Sequence, residues 1–179
     1  MDLPDQRGFV IWFTGLSGAG KTTLAQKLKS RLERQGLNVY LLDGDVLRTG
    51  LNADLGFSPA DRRENIRRAA EVARLLVEEG YCVLATFISP FHADRQKARQ
   101  IIGAHRFKEV YLKCPIAICE SRDVKGLYQK ARAGLISDFT GIDSPYEVPD
   151  HPEVVIATDQ LPVEEAVNKL YDELFDSNG

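Results

Sequence analysis

The sequence predicts an α/β fold of three layers, α/β/α, with a central parallel sheet, and three observations predict it. Short apolar runs rich in β-formers recur along the chain, and each is followed by a segment with helical spacing. The runs do not alternate polar and apolar residues, so both faces of each strand are buried, as in a sheet covered by helices on both sides. A glycine-rich turn of phosphate-binding type separates the first strand from the first helix. The 179 residues suit one domain with a real core, spanning 1–179. No repeat, low-complexity segment or linker interrupts it.

The first strand is FVIWF, 9–13, followed by a loop over 15–20. From 21 to 35, Leu24, Ala25, Leu28 and Leu32 share one helical face, and Gly36 caps the end. The second strand, 39–42, runs into Asp43-Gly44-Asp45, a good turn sequence. Ser58-Pro59-Ala60-Asp61 is a helix start, with Ser as N-cap, Pro in the first turn and an acid three residues on. That helix runs to about 79 and stops at Gly80. The third strand is 81–88, and Ser89-Pro90 opens a helix to about 102. A fourth strand over 107–112, a short helix after Pro115 and a basic helical segment over 127–135 follow. The loop LISDFTGIDSPYEVPD, 135–150, holds two Pro, one Gly, four acids, Phe139 and Tyr146; it has no period and is no core element. The last strand is 154–157, and Val163, Ala166, Val167, Leu170 and Leu174 mark a final amphipathic helix.

Composition narrows the function. At 44% hydrophobic and 27% charged residues the chain is ordinary globular material. Its apolar runs, such as YCVLATFI, are far shorter than a membrane span, and MDLPDQRG has no cationic start leading into an apolar stretch. No membrane partner is expected, and the expected location is cytoplasmic. A net charge of -3 argues against a nucleic-acid partner, whose binding rests on a basic surface. Cys82, Cys114 and Cys119 form no C-x-x-C and read as buried reduced thiols, with a regulatory disulfide as the alternative. His92, His105 and His151 have no metal-ligand spacing.

Gly15-Leu16-Ser17-Gly18-Ala19-Gly20-Lys21-Thr22 fits G-x-x-x-x-G-K-[ST] at every fixed position, with a strand before and a helix after. Glycines let backbone N–H groups turn inward around phosphate oxygens, and the positive end of the following helix points at the same place. The Lys21 ammonium reaches the outer phosphates and the Thr22 hydroxyl can ligate Mg²⁺; Thr23 is the next contact. The loop therefore predicts a nucleoside triphosphate site of the P-loop NTPase type. A GTPase is disfavoured, because the one N-K-x-D candidate, Asn168 to Asp172, is a residue too long and lies inside the final helix. A small kinase is the leading class.

Asp43 and Asp45, two apart at a strand end, can place one carboxylate near a metal and one near an acceptor hydroxyl. On the helix after Ser58, residues Ile66, Ala69, Ala70, Ala73, Leu76 and Val77 form the apolar face, and Arg62 and Asn65 fall on that same face. A buried Arg needs an anionic partner, either a ligand or a structural carboxylate. Arg48 either joins it or is solvated surface. Ser89 reads both as the N-cap before Pro90 and as a hydroxyl at the carboxyl end of a central strand, where ligands of such sheets sit.

These residues sit in GLSGAGKT, LDGDVLR, LNADLGFSPADRRENIRR, FISPF, DVKGLYQKARAG and FTGIDSPYE. Together the stretches resemble the adenylylsulfate kinase (APS kinase) family over about 8–160, in its free-standing bacterial-type form. The resemblance implies phosphorylation of the 3′-hydroxyl of adenosine 5′-phosphosulfate (APS) in sulfate assimilation, with ATP and Mg²⁺, by a homodimer. It implies Asp45 as the acid that accepts the hydroxyl proton and Asp43 as a helper holding Mg²⁺ through water. It implies Arg48, Arg62 and Asn65 as binders of phosphosulfate and ribose, and Ile88 and Ser89 as substrate contacts. In the family the matching Ser has been assigned as a phosphoserine intermediate, although positioning and charge neutralisation suffice for phosphoryl transfer. Phe57 and Phe139 match an aromatic clamp on the adenine, with a core plug as the alternative for Phe139. Lys125 matches a cation of a mobile lid over about 124–150. Val46 and Phe91 stand where family members often have Asn and Tyr. A kinase for a sugar acid or a nucleoside monophosphate, and a silent nucleotide-binding regulator, are the rivals.

Overall fold

The structure, a computed structural model, describes residues 8–176. The tail expected over 1–8 lies, but for Gly8, outside the described residues. Five parallel strands form one sheet in the order β2-β3-β1-β4-β5. They are β1 (Phe9–Thr14), β2 (Val39–Asp43), β3 (Cys82–Thr86), β4 (Phe107–Lys113) and β5 (Val154–Ala157). The helices are α1 (Lys21–Arg34), α2 (Gly44–Arg48), α3 (Pro59–Glu78), α4 (His92–Ile102), α5 (Ile116–Arg122), α6 (Leu127–Arg132) and α7 (Val163–Tyr171). No described helix is long and apolar enough to cross a membrane.

Successive residues of β1 point to opposite faces, which splits the core in two. Ile11 and Phe13 pack with Leu24, Leu28 and Leu32 of α1 and Leu170 of α7. Val10 and Trp12 pack with Ile66, Ala69 and Ala73 of α3 and Ala98 of α4. Tyr128 of α6 and Phe139 belong to the first of these clusters. The register aligns Phe13 and Asp43 with Thr86 on the strand between them, so the phosphate loop and the Asp43 turn leave the sheet at one level.

Several boundaries differ from expectation for local reasons. The Asp43-Gly44-Asp45 turn is the start of helix α2. Asp43 is its N-cap, accepting from the N–H groups of Asp45 and Val46 at 2.9 and 3.3 Å. Strand β3 stops at Thr86, where its neighbour β2 also ends. Ser89 does not cap α4. Its backbone is left-handed (φ 42°), whereas a cap residue is extended, and the helix begins at His92 after Phe91. The cap comes from the far loop instead: the Glu147 carboxylate accepts from the His92 N–H at 2.6 Å. Helix α6 ends at Arg132, short of the expected 135, with Gly134 left-handed at φ 72°. Beyond α7 the chain widens into a π-helical turn, Asp172–Asp176, from which Leu174 still packs on the core.

The loop over 135–150 is built from its own hydrogen bonds. The Asp143 carboxylate accepts from the N–H groups of Asp138 and Phe139 at 2.9 and 2.6 Å. The Phe139 carbonyl accepts from Ile142, Asp143 and Ser144. Gly141 has φ 92°, where a side chain is strained, and a Cβ there would lie 2.9 Å from Ile116 Cδ1.

Candidate active site

The phosphate loop joins the central strand to α1, a helix of 14 residues whose N-cap is Gly20 (φ 100°). Gly18 is left-handed at φ 80°, and a Cβ there would meet the Cys119 carbonyl at 2.9 Å. Lys21 folds back, its Nζ donating to the carbonyls of Gly15 and Leu16 at 2.9 and 2.8 Å. Burial, opposed by the nearby Asp45 and Asp43 charges, pulls its pKa down to about 8. Two side chains brace the outside of the loop. The Tyr128 hydroxyl donates to the Ser17 carbonyl at 2.7 Å, and Arg122 Nη1 donates to the Gly18 carbonyl at 3.1 Å. Ala19 is buried, whereas Thr22 and Thr23 are exposed on the first turn of α1.

Asp43 lies at the end of β2 beside Thr22. Its Oδ2 accepts from the hydroxyls of Thr22 at 3.0 Å and Thr86 at 2.8 Å, and its Oδ1 from the two α2 N–H groups. Burial alone would raise its pKa, but these four hydrogen bonds hold it below the usual carboxylate value. Because Thr22 spends its proton on Asp43, its lone pairs are left for a cation. The Thr22 hydroxyl is a hard oxygen ligand of the kind Mg²⁺ takes. Among the described residues no three His, Cys, Asp or Glu form a metal cage, so such an ion would use Thr22 and the phosphates of its nucleotide. Asp45, two residues on, is different. Its side chain is 69% exposed and pairs with Lys125 from the α5–α6 connection.

The wall opposite is built on α3. Arg62 and Asn65 are 7% and 6% exposed, on the apolar face as the helical spacing predicts. Arg62 Nε donates to the Phe57 carbonyl at 2.9 Å and Nη2 to the Asp138 carbonyl, which ties the segment before α3 to the 135–150 loop. Arg48 donates to the carbonyls of Leu55 and Gly56, and its guanidinium lies 4.2 Å from the Phe57 ring centre. Phe57 is 51% exposed, but Phe139 is 8% exposed and makes a T-shaped contact with Tyr128, 5.0 Å between centres. Phe139 thus fills the core edge here, the alternative to the clamp.

Ile88 and Ser89 lie just past the end of β3, one strand from the phosphate loop. The Thr14 hydroxyl donates to the Ile88 carbonyl at 2.7 Å and meets the Tyr146 hydroxyl at 2.8 Å. Ser89 is 2% exposed; its Oγ accepts from Trp12 Nε1 at 3.1 Å and donates to the Phe87 carbonyl. The hydroxyl therefore points into the core. Buried Arg95 donates to the carbonyls of Ser89 and Glu147, both at 2.7 Å, and pairs with Glu109 at 2.9 Å. All three cysteines are free and buried, and burial pushes the Cys119 thiol up to about 12.

Lys21, Thr22, Asp43 and Asp45 thus share one end of the sheet, with Arg62, Asn65, Phe57 and the Ile88–Ser89 turn beyond β3. Sequence reasoning did not find Thr86, Tyr128, Arg95 or Asn52, the last donating to Asn65 Oδ1 at 2.9 Å. Their signal was faint: polar groups at otherwise apolar, buried positions. The fold and this end of the sheet define a P-loop phosphotransferase.

A family model for adenylylsulphate kinase matches residues 7–157. An adenylyl-sulfate kinase of Clostridium kluyveri is 57% identical over 167 residues, 93% of this chain and 83% of the relative. A probable adenylyl-sulfate kinase of Halalkalibacterium halodurans is 58% identical, over 90% of this chain and 80% of the relative. Among solved structures, the Mycobacterium tuberculosis APS kinase CysC in complex with AMPPNP and APS superposes with a TM-score of 0.90 at 48% identity. It covers 94% of this chain and 98% of that one. The chain belongs to the adenylylsulphate kinase family.

Proposed function

We propose that this enzyme transfers the γ-phosphoryl group of ATP to the 3′-hydroxyl of adenosine 5′-phosphosulfate, giving 3′-phosphoadenylyl sulfate and ADP. The observation that carries the acceptor is Arg62. A guanidinium buried on α3 at the rim of the cleft makes its hydrogen bonds to two carbonyls, of Phe57 and Asp138. Its charge is uncompensated by a bonded carboxylate, which suits an anionic ligand. It also ties together the chain segments that carry the two candidate clamp aromatics.

Lys21 and the loop N–H groups bind the phosphates, and Thr22, oriented by Asp43, holds Mg²⁺. That ion supplies charge neutralisation on the transferred group. Asp45 accepts the proton of the acceptor hydroxyl, and Lys125 pairs with its carboxylate until the acceptor arrives. Arg48, Arg62 and Asn65 bind phosphosulfate and ribose, and Ile88 and Ser89 line the pocket through their backbone. Phe57 stacks on the adenine, and Phe139 joins it when a lid over about 124–150 closes. A homodimer is part of the proposal, read out by light scattering.

The test is to incubate the purified protein with Mg²⁺, ATP and APS and look for ADP and a 3′-phosphorylated product. AMP and gluconate serve as parallel acceptors. Product from APS alone supports the reading; turnover of gluconate or AMP instead, or ATP binding without any turnover, overturns it.

A further inference from the structure

We infer that Tyr128 is a positioning residue that couples the phosphate loop to the acceptor loop, so that nucleotide in one site organises the wall of the other. The inference rests on the acceptor reading above. Tyr128 is 1% exposed, and its two ends touch two different sites. Its hydroxyl donates to the Ser17 carbonyl at 2.7 Å. Its ring makes a T-shaped contact with Phe139, 5.0 Å between centres at 78°.

The hydroxyl end has a specific consequence. A peptide unit is planar and trans, so its C=O and N–H point in opposite directions. Holding the Ser17 carbonyl against Tyr128, outside the loop, aims the Gly18 N–H at the loop interior, where phosphate oxygens bind. The ring end has another. Phe139 anchors the turn whose carbonyl collects the N–H groups of Ile142, Asp143 and Ser144, so a shift of its ring moves the whole turn. The Gly141 turn also passes close to the phosphate loop, since a Cβ added there would lie 3.3 Å from Leu16 Cδ2. Tyr128 itself is fixed from behind, because Asp123 accepts from its N–H and that of Gln129, both at 3.0 Å. A loop pulled inward by phosphates therefore pulls on Tyr128, and Tyr128 on Phe139. A buried ring packs in a core and a buried hydroxyl needs an acceptor; that this acceptor is a carbonyl of the phosphate loop is what ties the ring to the nucleotide site.

Tyr128→Phe keeps the ring and removes the hydroxyl, and with it the bond to Ser17 and the contact with Cys119. Two measurements on the full chain, with Mg²⁺ and a non-hydrolysable ATP analogue, test the coupling. Calorimetry gives the APS affinity with and without saturating analogue. In the wild type the analogue is expected to tighten APS binding at least about fivefold, and in Tyr128→Phe to leave less than about twofold. Analogue binding itself should weaken about fivefold. Amide exchange over 137–143 with analogue alone is the second readout, with protection gained in the wild type and absent in the variant. An unchanged enhancement, or equal protection in both proteins, overturns the coupling. If the wild type binds the analogue but not APS, the acceptor reading fails, and the exchange measurement still decides the coupling. A thermal midpoint of the variant within a few degrees of wild type excludes simple loosening of the core.

Discussion

The Lys21 ammonium offers a pH test of how the phosphate loop works. In the free protein burial holds its pKa near about 8, while it donates to the carbonyls of Gly15 and Leu16. Phosphates in the loop place negative charge beside it and raise that pKa again. Nucleotide therefore binds to the protonated form, and above pH 8 binding must draw in a proton. The affinity cost is a factor of 1 + 10^(pH − pKa): about twofold at pH 8 and about tenfold at pH 9 relative to pH 7. At pH 8, binding should take up about half a proton. Calorimetry in buffers of different ionisation enthalpy reads the uptake, and a titration series between pH 7 and about 9.5 reads the affinity. Stability should move oppositely. Between about 8 and the ordinary lysine value of 10.5 the unfolded chain binds more protons than the folded one, so Lys21 contributes a gain in stability as pH rises through that window. Lys21→Arg, charged throughout, should flatten the affinity profile. An affinity constant from pH 7 to 9 with no proton uptake would refute the reasoning, because Lys21 would then be charged throughout.

Three further outcomes follow from the site. Asp45→Asn should cut turnover by about 10²–10⁴ while nucleotide still binds, as expected for loss of a general base; near-normal turnover in the product assay removes Asp45 from that role. Ser89→Ala leaves buried Trp12 Nε1 without its acceptor, so stability should drop by about 1–3 kcal/mol in urea titration, with turnover within a few-fold of wild type. A loss of turnover of about 10³ or more in that variant would restore a covalent role for the Ser89 hydroxyl. Phe139→Leu should raise the KM for APS more than the KM for ATP, and equal effects in steady-state kinetics would return Phe139 to core packing alone.

The sequence displays the alternation of strands and helices, and the helix faces, because burial imposes apolar runs and helical periods on it. The apolar face of α3 could be written out in advance, and with it the buried Arg62 and Asn65. The phosphate loop was legible for a different reason: its fixed glycines answer backbone constraints, Gly20 at φ 100° and Gly15 where a Cβ would lie 2.9 Å from the Leu112 carbonyl. Ser89 misled because Ser-Pro is a good local helix start. The tertiary demand on its hydroxyl, from Trp12 on the neighbouring strand, and on its carbonyl, from Arg95, outweighed a local cap. The cap that α4 does use comes from Glu147, 55 residues from His92, and no local rule reaches that far. Tyr128 and Thr86 escaped for the same reason, since their polar atoms find partners only after the chain has folded.

Asp43 and Asp45 show how environment can assign two roles that spacing leaves open. Both are aspartates two residues apart, so intrinsic chemistry does not separate them. Asp43 accepts four hydrogen bonds, two on each oxygen, which uses the four lone-pair directions of a carboxylate. An acid so occupied, with a depressed pKa, is a poor proton acceptor. What it does instead is orient: it takes the Thr22 proton and leaves the hydroxyl lone pairs for a cation. Asp45 is largely exposed and meets one flexible Lys125, so its carboxylate can turn toward a hydroxyl that arrives in the cleft. Neutralising Asp45 removes a reaction step, whereas neutralising Asp43 also disturbs α2, whose first N–H groups it caps. The proton acceptor proposed at Asp45 is thus presented by the short helix that Asp43 nucleates.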